Sequence, residues 1–463
     1  MAFFKTARDQ MKAEAFVSHL EAAKARLGPG YGETARYLKW AQGAMEKIKK
    51  AKAEYFFSKN GWWYVIELSG ELAKSLKKAG RDDLSQTCSA ICGWALENED
   101  RVGGGILSAV DSVLSRTKEP EDILRLSQNL AAAGYDEAQN NLGLMYIKGE
   151  GCAKDERKAF EWFGKAAEQN HAEAQINLGM MYENGWGVSQ DEGEAVRWYR
   201  KAAEQGNASA QYYLGSMYAL GRGINKDDVQ AFHWFEKSAM QGHPRAQYSL
   251  GVMWSNGNGT PKNEHKAVEW FEQSAAQGDA SAQFNLGLMC LSGNGTPKNE
   301  LKAVDWFEKA AAQGVANAHL NLGRMYECGQ GVSKNEQKAA QIYEKAALLG
   351  SRQAQFNLGV MYANGHGVSK CEERAVQWYR EAASQGHPSA HHNLGWMYQL
   401  GQGVAKDEIQ AYAHFTVAVT LGHKGAPENA SELEGVLTVS KLVEGKERAG
   451  RLLGAIEKTP SGS

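Results

Sequence analysis

Ser75 and Lys78 form a Ser-x-x-Lys pair, and Ser115 and Lys118 form a second. One helical turn between a hydroxyl and an amine is the spacing at which a lysine activates a serine for acyl transfer. Neither pair is joined by the Ser-Asp-Asn or Lys-Thr-Gly runs that complete such a site. His387 and His391, with His392 beside them, stand four residues apart, which puts two imidazoles on one helical face and supplies half of a metal site. Cys88 and Cys92 are also four apart, not in Cys-x-x-Cys spacing, and read as core thiols. Gly149-Glu150-Gly151 followed by Lys154 has the residue types of a phosphate cradle, but that chemistry needs a strand before the glycines, and here a helical pattern leads into them. Lys47, Lys49, Lys50 and Lys52 offer positive charge to acidic lipid, nucleic acid or an acidic protein, and read most simply as a solvated helix face. No zinc, helix-turn-helix or RNA-binding pattern accompanies them, so no nucleic acid is expected. None of these sets is complete. The sequence therefore names no catalytic residue, no metal ligand and no cofactor.

The elements that would position such groups come from a repeat. Leu-Gly recurs at Leu142-Gly143, Leu178-Gly179, Leu214-Gly215, Leu250-Gly251, Leu286-Gly287, Leu322-Gly323, Leu358-Gly359 and Leu394-Gly395, always 36 residues apart. A fixed period in this range marks a solenoid of small stacked units. The eight units span 135–422. Counting each glycine as zero, Ala stands at −5, Leu at −1 and Met at +2 in every copy, with an aromatic at +3 except at Cys290. At about 100° per residue these share one face of a helix, here helix A. The glycine lies beside that face, where the missing side chain lets a neighbour approach.

Helix A stops at a second glycine, at +6. Asp or Asn at +12 then opens helix B by accepting a hydrogen bond from its free amides. Cys371 breaks that rule in the seventh unit, which predicts a weaker helix start there. Helix B carries Ala at +16, Trp at +19 except at Ile342 and His414, an aromatic at +20, and small residues at +23 and +24. A lone 36-residue pair is too small to fold unaided, so each unit must bury its apolar side chains against its neighbours.

The pattern Ala-x-Ala-Gln-x-x-Leu-Gly-x-Met-Tyr-x-x-Gly-x-Gly-Val-x-Lys-Asp, followed by Ala-x-x-Trp-x-x-Lys-Ala-Ala-x-Gln-Gly, resembles the Sel1-like repeat, a relative of the tetratricopeptide repeat with a longer loop between its helices. The resemblance covers 135–422. It implies an all-α, right-handed α/α superhelical solenoid with a concave groove lined by A helices, and an adaptor role in which proteins or peptides are held there. Some bacterial members are secreted and carry disulfides within repeats. No unit here holds two cysteines, so that compartment is not carried over.

A helix with a single buried face is polar on the other side. Helix A is not. Position −3 holds Ile176, Tyr212, Tyr248, Phe284, Leu320 and Phe356, and position +1 holds Met180, Val252, Leu288, Val360 and Trp396, with Leu144 in the first unit. Both positions are expected opposite the core face, and the resemblance places them on the concave surface. They are the candidate partner-binding residues. Asn177, Asn285, Asn321, Asn357 and Asn393, at −2, are candidates for contact with a partner's backbone, since an amide both donates and accepts. Their recurrence equally fits a bond inside the protein.

Outside the array, 1–100 reads as helical without the repeat, 101–134 as a degenerate copy ending in Leu130-Ala131 and Gly134, and 423–463 as capping helices and a tail. Residues 1–81 hold 16 Lys/Arg against 8 Asp/Glu within a chain of net charge −2. No run is long and apolar enough to span a membrane. The expected protein is a cytoplasmic, bacterial, monomeric adaptor that binds another protein or a peptide segment, or a periplasmic or secreted one if a native signal sequence is missing. The rival readings are a regulatory or enzymatic activity in 1–100 targeted by the repeats, a β-lactamase-like or peptidoglycan-related hydrolase, and a purely structural scaffold.

Overall fold

The structure is a computed structural model and describes residues 124–458, without 125, 126, 129 and 133. The two Ser-x-x-Lys pairs, Cys88, Cys92, the lysine cluster and the 1–100 region lie outside the described residues. Within them, every element is an α-helix. Sixteen helices of 13 residues alternate as A and B. They are α1 (Asp136–Lys148), α2 (Glu156–Glu168), α3 (Ala172–Asn184), α4 (Glu192–Glu204), α5 (Ala208–Leu220), α6 (Asp228–Met240), α7 (Pro244–Asn256), α8 (Glu264–Ala276), α9 (Ala280–Ser292), α10 (Glu300–Ala312), α11 (Ala316–Cys328), α12 (Glu336–Leu348), α13 (Arg352–Asn364), α14 (Glu372–Ser384), α15 (Pro388–Leu400) and α16 (Glu408–Thr420). Two more, α17 (Ala426–Val436) and α18 (Val439–Lys458), follow. The chain divides into two compact units, residues 1–210 with 222–224 and residues 211–221 with 225–463.

Each A helix ends because the +6 glycine turns left-handed. Gly293, at φ +83°, returns its N–H to the Met289 carbonyl. The +12 residue then ties the loop back, as in Asn299 N–H to the Cys290 carbonyl at 2.7 Å, and its side chain accepts from Lys302 N–H to start α10. Seven of the eight B helices open on such a cap; Cys371, before α14, makes no side-chain cap bond.

The core of a helix pair is set by the zero glycine. A Cβ on Gly323 would lie 2.6 Å from the Tyr343 ring, and the +20 aromatic occupies the same place over every zero glycine. The neighbour admitted by the missing side chain is therefore the +20 ring of the glycine's own unit. The +8 glycine has the opposite duty. A Cβ on Gly295 would lie 2.2 Å from the Glu264 carbonyl, so this loop packs on the first turn of the preceding B helix. Alanines at −5 and +16, such as Ala282 and Ala303, are fully buried and keep the helices close.

In the first unit α1 packs on α2, α2 on α3 and α3 on α4; in the second, the same order runs from α6 to α16. At the N-terminal edge the carbonyl of buried Ala131 accepts from the Gln139 amide, as the carbonyls of repeat alanines do, so the end of the degenerate copy behaves as a B-helix terminus. At the C-terminal edge α17 keeps the repeat register beyond 422. Ala426, Asn429 and Leu433 stand at −5, −2 and +2 of a ninth A helix; Ala426 and Leu433 are buried, and a ring nitrogen of His392 bonds Asn429 Oδ1 at 2.9 Å. Without the Leu-Gly signal that register was invisible in sequence. Then α18 packs on α16, with Ala449 against Ala413 and Val417.

Candidate partner-binding face

The second unit presents six A helices: α5, α7, α9, α11, α13 and α15. Their −3 side chains are not on a free surface, as the sequence pattern had them, but at the margin of the core. The rings of Tyr248 and Phe284 tilt against Phe271 and Phe307 of their own units at 5.7 and 5.8 Å, and Tyr212 and Phe356 do the same with Phe235 and Tyr379 at 5.8 and 5.9 Å. Tyr212 and Phe356 also stack on the next helix-opening residue, His243 at 5.0 Å and His387 at 4.5 Å. Leu320 is likewise half-buried. Position −3 is about 60° around the helix from the zero glycine, close enough for a long side chain to fold back on the ring beneath. In the second repeat, within residues 1–210, Ile176 goes further and is buried, while Met180 is half-buried.

Position +1 lies further out. Leu288 is 37% exposed, and Val252, Val360 and Trp396 are half-buried. In unit six the position is Arg324, which is exposed. Two of the −2 asparagines bridge successive A helices. The amide of Asn177 donates to Asn140 Oδ1 at 2.9 Å, and that of Asn285 to the Tyr248 hydroxyl at 3.4 Å. Asn321 donates to the Asn317 carbonyl in its own helix, and Asn357 accepts from Gln353. Asn393 bonds the Tyr379 hydroxyl of the preceding unit.

Charge separates the two kinds of helix. From Gln211 on, the A helices carry a single carboxylate, Glu327, and it accepts from the Tyr343 hydroxyl at 2.6 Å. The B helices and the loops that lead into them hold the lysines and nearly all the acids of these repeats, and an ion pair recurs between loop and first helical residue, as in Lys298–Glu300 and Lys334–Glu336. Their tryptophans are half-buried, and Trp234 and Trp306 lie under Lys237 and Lys309 at 4.5 and 4.1 Å. The A face is thus apolar and amide-bearing, and the B face charged. A cleft of 540 Å³ between α12 and the loop after α13, lined by Gln337, Gln341, Glu344, Tyr362 and Ser369 among others, had no signal in the sequence.

The histidines weighed as metal ligands are engaged in the fold. His387 Nδ1 caps α15 by accepting from Ala390 N–H, and His391 bonds the Ala383 carbonyl through Nε2 and His414 through Nδ1. Among the described residues no three His, Cys, Asp or Glu side chains converge, and Cys152, Cys290, Cys328 and Cys371 are free thiols. No described helix is long and apolar enough to cross a membrane.

The Sel1 repeat family matches this chain in eight consecutive stretches, from 136–171 to 388–423. The chain belongs to the Sel1 repeat family. A Sel1 repeat protein of Oxalobacter formigenes is 30% identical over 70% of this chain and 99% of its own, with a TM-score of 0.54. A protective antigen of uropathogenic Escherichia coli with an SLR fold is 28% identical over 91% of this chain and 98% of its own, with a TM-score of 0.49. No curated protein matches the chain. Sel1 repeat proteins generally mediate protein–protein interaction and are generally of the non-enzymatic scaffold type.

Proposed function

We propose that this protein is an adaptor that holds a segment of a partner protein along the A-helix face of residues 211–400. The observation that carries this is the run of +1 side chains Val252, Leu288, Val360 and Trp396, apolar and in part open to solvent, on helices almost free of carboxylates. The −3 side chains Tyr212, Tyr248, Phe284, Leu320 and Phe356 form the floor behind them. Their contacts with the +20 rings hold that floor rigid, which lowers the entropy lost when a segment docks. In the second repeat, Ile176 and Met180 occupy the same two positions.

The test replaces Val252, Leu288 and Val360 together by glutamate, because +1 carries less of the core than −3. Affinity-purified partners are compared with those of wild type and of a Val229→Glu/Leu301→Glu control, whose positions on α6 and α10 are each 63% exposed. Loss of partners from the triple variant alone supports the reading. Unchanged partners on a variant with wild-type circular dichroism and melting would sink it.

A further inference from the structure

The +1 positions of α7, α9, α11, α13 and α15 read Val252, Leu288, Arg324, Val360 and Trp396. Four are apolar and the middle one is a cation. Arg324 is exposed, and among the described residues no carboxylate pairs with it. Glu327, one turn away, is turned to the Tyr343 hydroxyl. The other two arginines of these helices sit at their N-terminal ends: Arg245 at −6, and Arg352 at −7 with a guanidinium nitrogen 3.3 Å from the Gln385 carbonyl. A guanidinium with no internal partner, in an apolar row on a face whose one carboxylate is occupied, is complementary to a single negative charge brought from outside.

Resting on the adaptor reading above, we infer that the partner segment carries an internal aspartate or glutamate that meets Arg324, with apolar residues on both sides of it. The carboxylate is internal because apolar positions continue past Arg324 in both directions, toward Leu288 and Val252 and toward Val360 and Trp396. A chain end at Arg324 would leave half the row empty. A side-chain carboxylate fits better than a phosphate, because a phosphate dianion calls for more than one cation and the +1 neighbours of Arg324 are uncharged.

Spacing follows from the scaffold. Successive A helices touch, as the Asn285–Tyr248 bond shows, and packed helices lie about 8–10 Å apart. An extended chain rises about 3.3 Å per residue, so one unit takes about three residues. The segment is apolar-x-x-acidic-x-x-apolar, continued by a further apolar residue three positions out on each side.

The probe is a fluorescein-labelled peptide with this pattern, Leu-Ser-Ala-Leu-Ser-Ala-Glu-Ser-Ala-Leu-Ser-Ala-Leu, titrated by anisotropy into the full chain. Companion peptides carry glutamine, phosphoserine or lysine in place of the glutamate. The expected result is that the glutamate peptide binds at least about tenfold tighter than the glutamine peptide, as a charge-assisted hydrogen bond gives. Arg324→Gln should erase that difference, and Arg324→Glu should transfer the preference to the lysine peptide. Equal binding of the glutamate and glutamine peptides, an Arg324→Gln protein that still discriminates, or no binding of the glutamate peptide would overturn the inference. Tightest binding of the phosphoserine peptide would replace the carboxylate by a phosphate and equally overturn it. Leu288→Glu keeps the two readings apart. If it abolishes binding of every peptide while Arg324→Gln has no effect, only the carboxylate inference fails; if it changes nothing, the A face itself is the wrong surface.

Discussion

The side-chain amide of Gln313 donates to the side-chain carbonyl of Gln283 at 2.9 Å, and buried Gln283 donates in turn to the Ala275 carbonyl at 3.3 Å. The second bond crosses into the preceding unit, so the pair links three helices: α8, α9 and the end of α10. The same −4/+26 glutamine pair recurs as Gln139–Gln169, Gln175–Gln205, Gln211–Gln241, Gln247–Gln277 and Gln355–Gln385. Gln283→Leu keeps the volume but removes both bonds, leaving the Ala275 carbonyl with its bond from Gly278 N–H and the Gln313 amide with its bond to the Gly278 carbonyl. It should cost about 0.5–1.5 kcal/mol, the net worth of an ordinary hydrogen bond whose partners keep other bonds. Urea unfolding of the full chain measures this, and a neutral result would mean that the ladder carries no stability.

Two units lack the glutamine pair, and they lack it as a set. Unit six has His319 at −4, Ile342 at +19 and Leu349 at +26; unit eight has His391, His414 and Leu421. In sequence these look like unrelated exceptions, to the −4 glutamine, to the +19 tryptophan and to the unit end. The structure brings −4, +19 and +26 of one unit together, as the His391–His414 bond at 2.9 Å shows. Restoring either glutamine of unit six alone should therefore gain nothing. His319→Gln with Leu349→Gln together should show a favourable coupling of about 0.5–3 kcal/mol in a double-mutant cycle. Additive effects would mean that the co-substitution is accidental.

Period, caps and glycine roles were legible because each is a local requirement repeated in all eight units or, for the caps, in seven of them. The zero glycine is an example: sequence showed that a small residue was needed, and only the fold showed that the Tyr343 class of ring was the reason. The −3 side chains were misplaced for a related cause. A helical wheel gives an angle but not the length of a side chain, and Phe284 is long enough to reach Phe307 from the edge of the open face. Ser216 and Arg324 are the two polar residues among the +1 positions, and hydrophobic periodicity carries no information about a residue that departs from it. The register of α17 was hidden because Ala426, Asn429 and Leu433 survive where Leu-Gly does not.

Two glycine-to-alanine changes should move stability in opposite directions. Gly323→Ala places a methyl 2.6 Å from the Tyr343 ring, and overpacking of this kind costs about 1–3 kcal/mol. Gly164, inside α2, has nothing within 4 Å of its would-be Cβ. Gly164→Ala should therefore gain about 0.5–1 kcal/mol through helix propensity alone. Thermal melts of both variants check the pair, and destabilisation by Gly164→Ala would contradict the packing described for α2.

The missing cap of α14 is repairable. Asp191 and Asp407 accept from the N–H groups of Glu194 and Gln410 in their units, and the Cys371 backbone has the same extended conformation, φ −153° and ψ 102°. Cys371→Asp should supply the absent acceptor, worth about 1 kcal/mol, and raise the melting temperature by about 2–4 °C. A fall would mean that the Cys371 thiol, 3.4 Å from Glu373 Oε2, has a role the aspartate cannot fill.

The histidines of the last units predict an acid-side loss of stability. Burial holds His391 and His414 well below the usual histidine range. His387 pushes further on His391, and His391 and Arg380 on His414. Burial likewise brings His387 down to about 4, with Arg352 and His423 adding to the shift. All three are neutral in the folded chain at pH 7 and near 6.5 when unfolded. The sign follows from proton uptake: below about pH 6.5 the unfolded chain binds protons that the folded chain refuses, so stability falls as pH drops from 7 toward 4. His391→Gln restores the residue used at −4 in six other units and can keep the bond to the Ala383 carbonyl. It should leave the melting temperature at pH 7.5 nearly unchanged and reduce the drop on going to pH 5. An identical drop in variant and wild type would place the acid sensitivity elsewhere than in the His391–His414 pair.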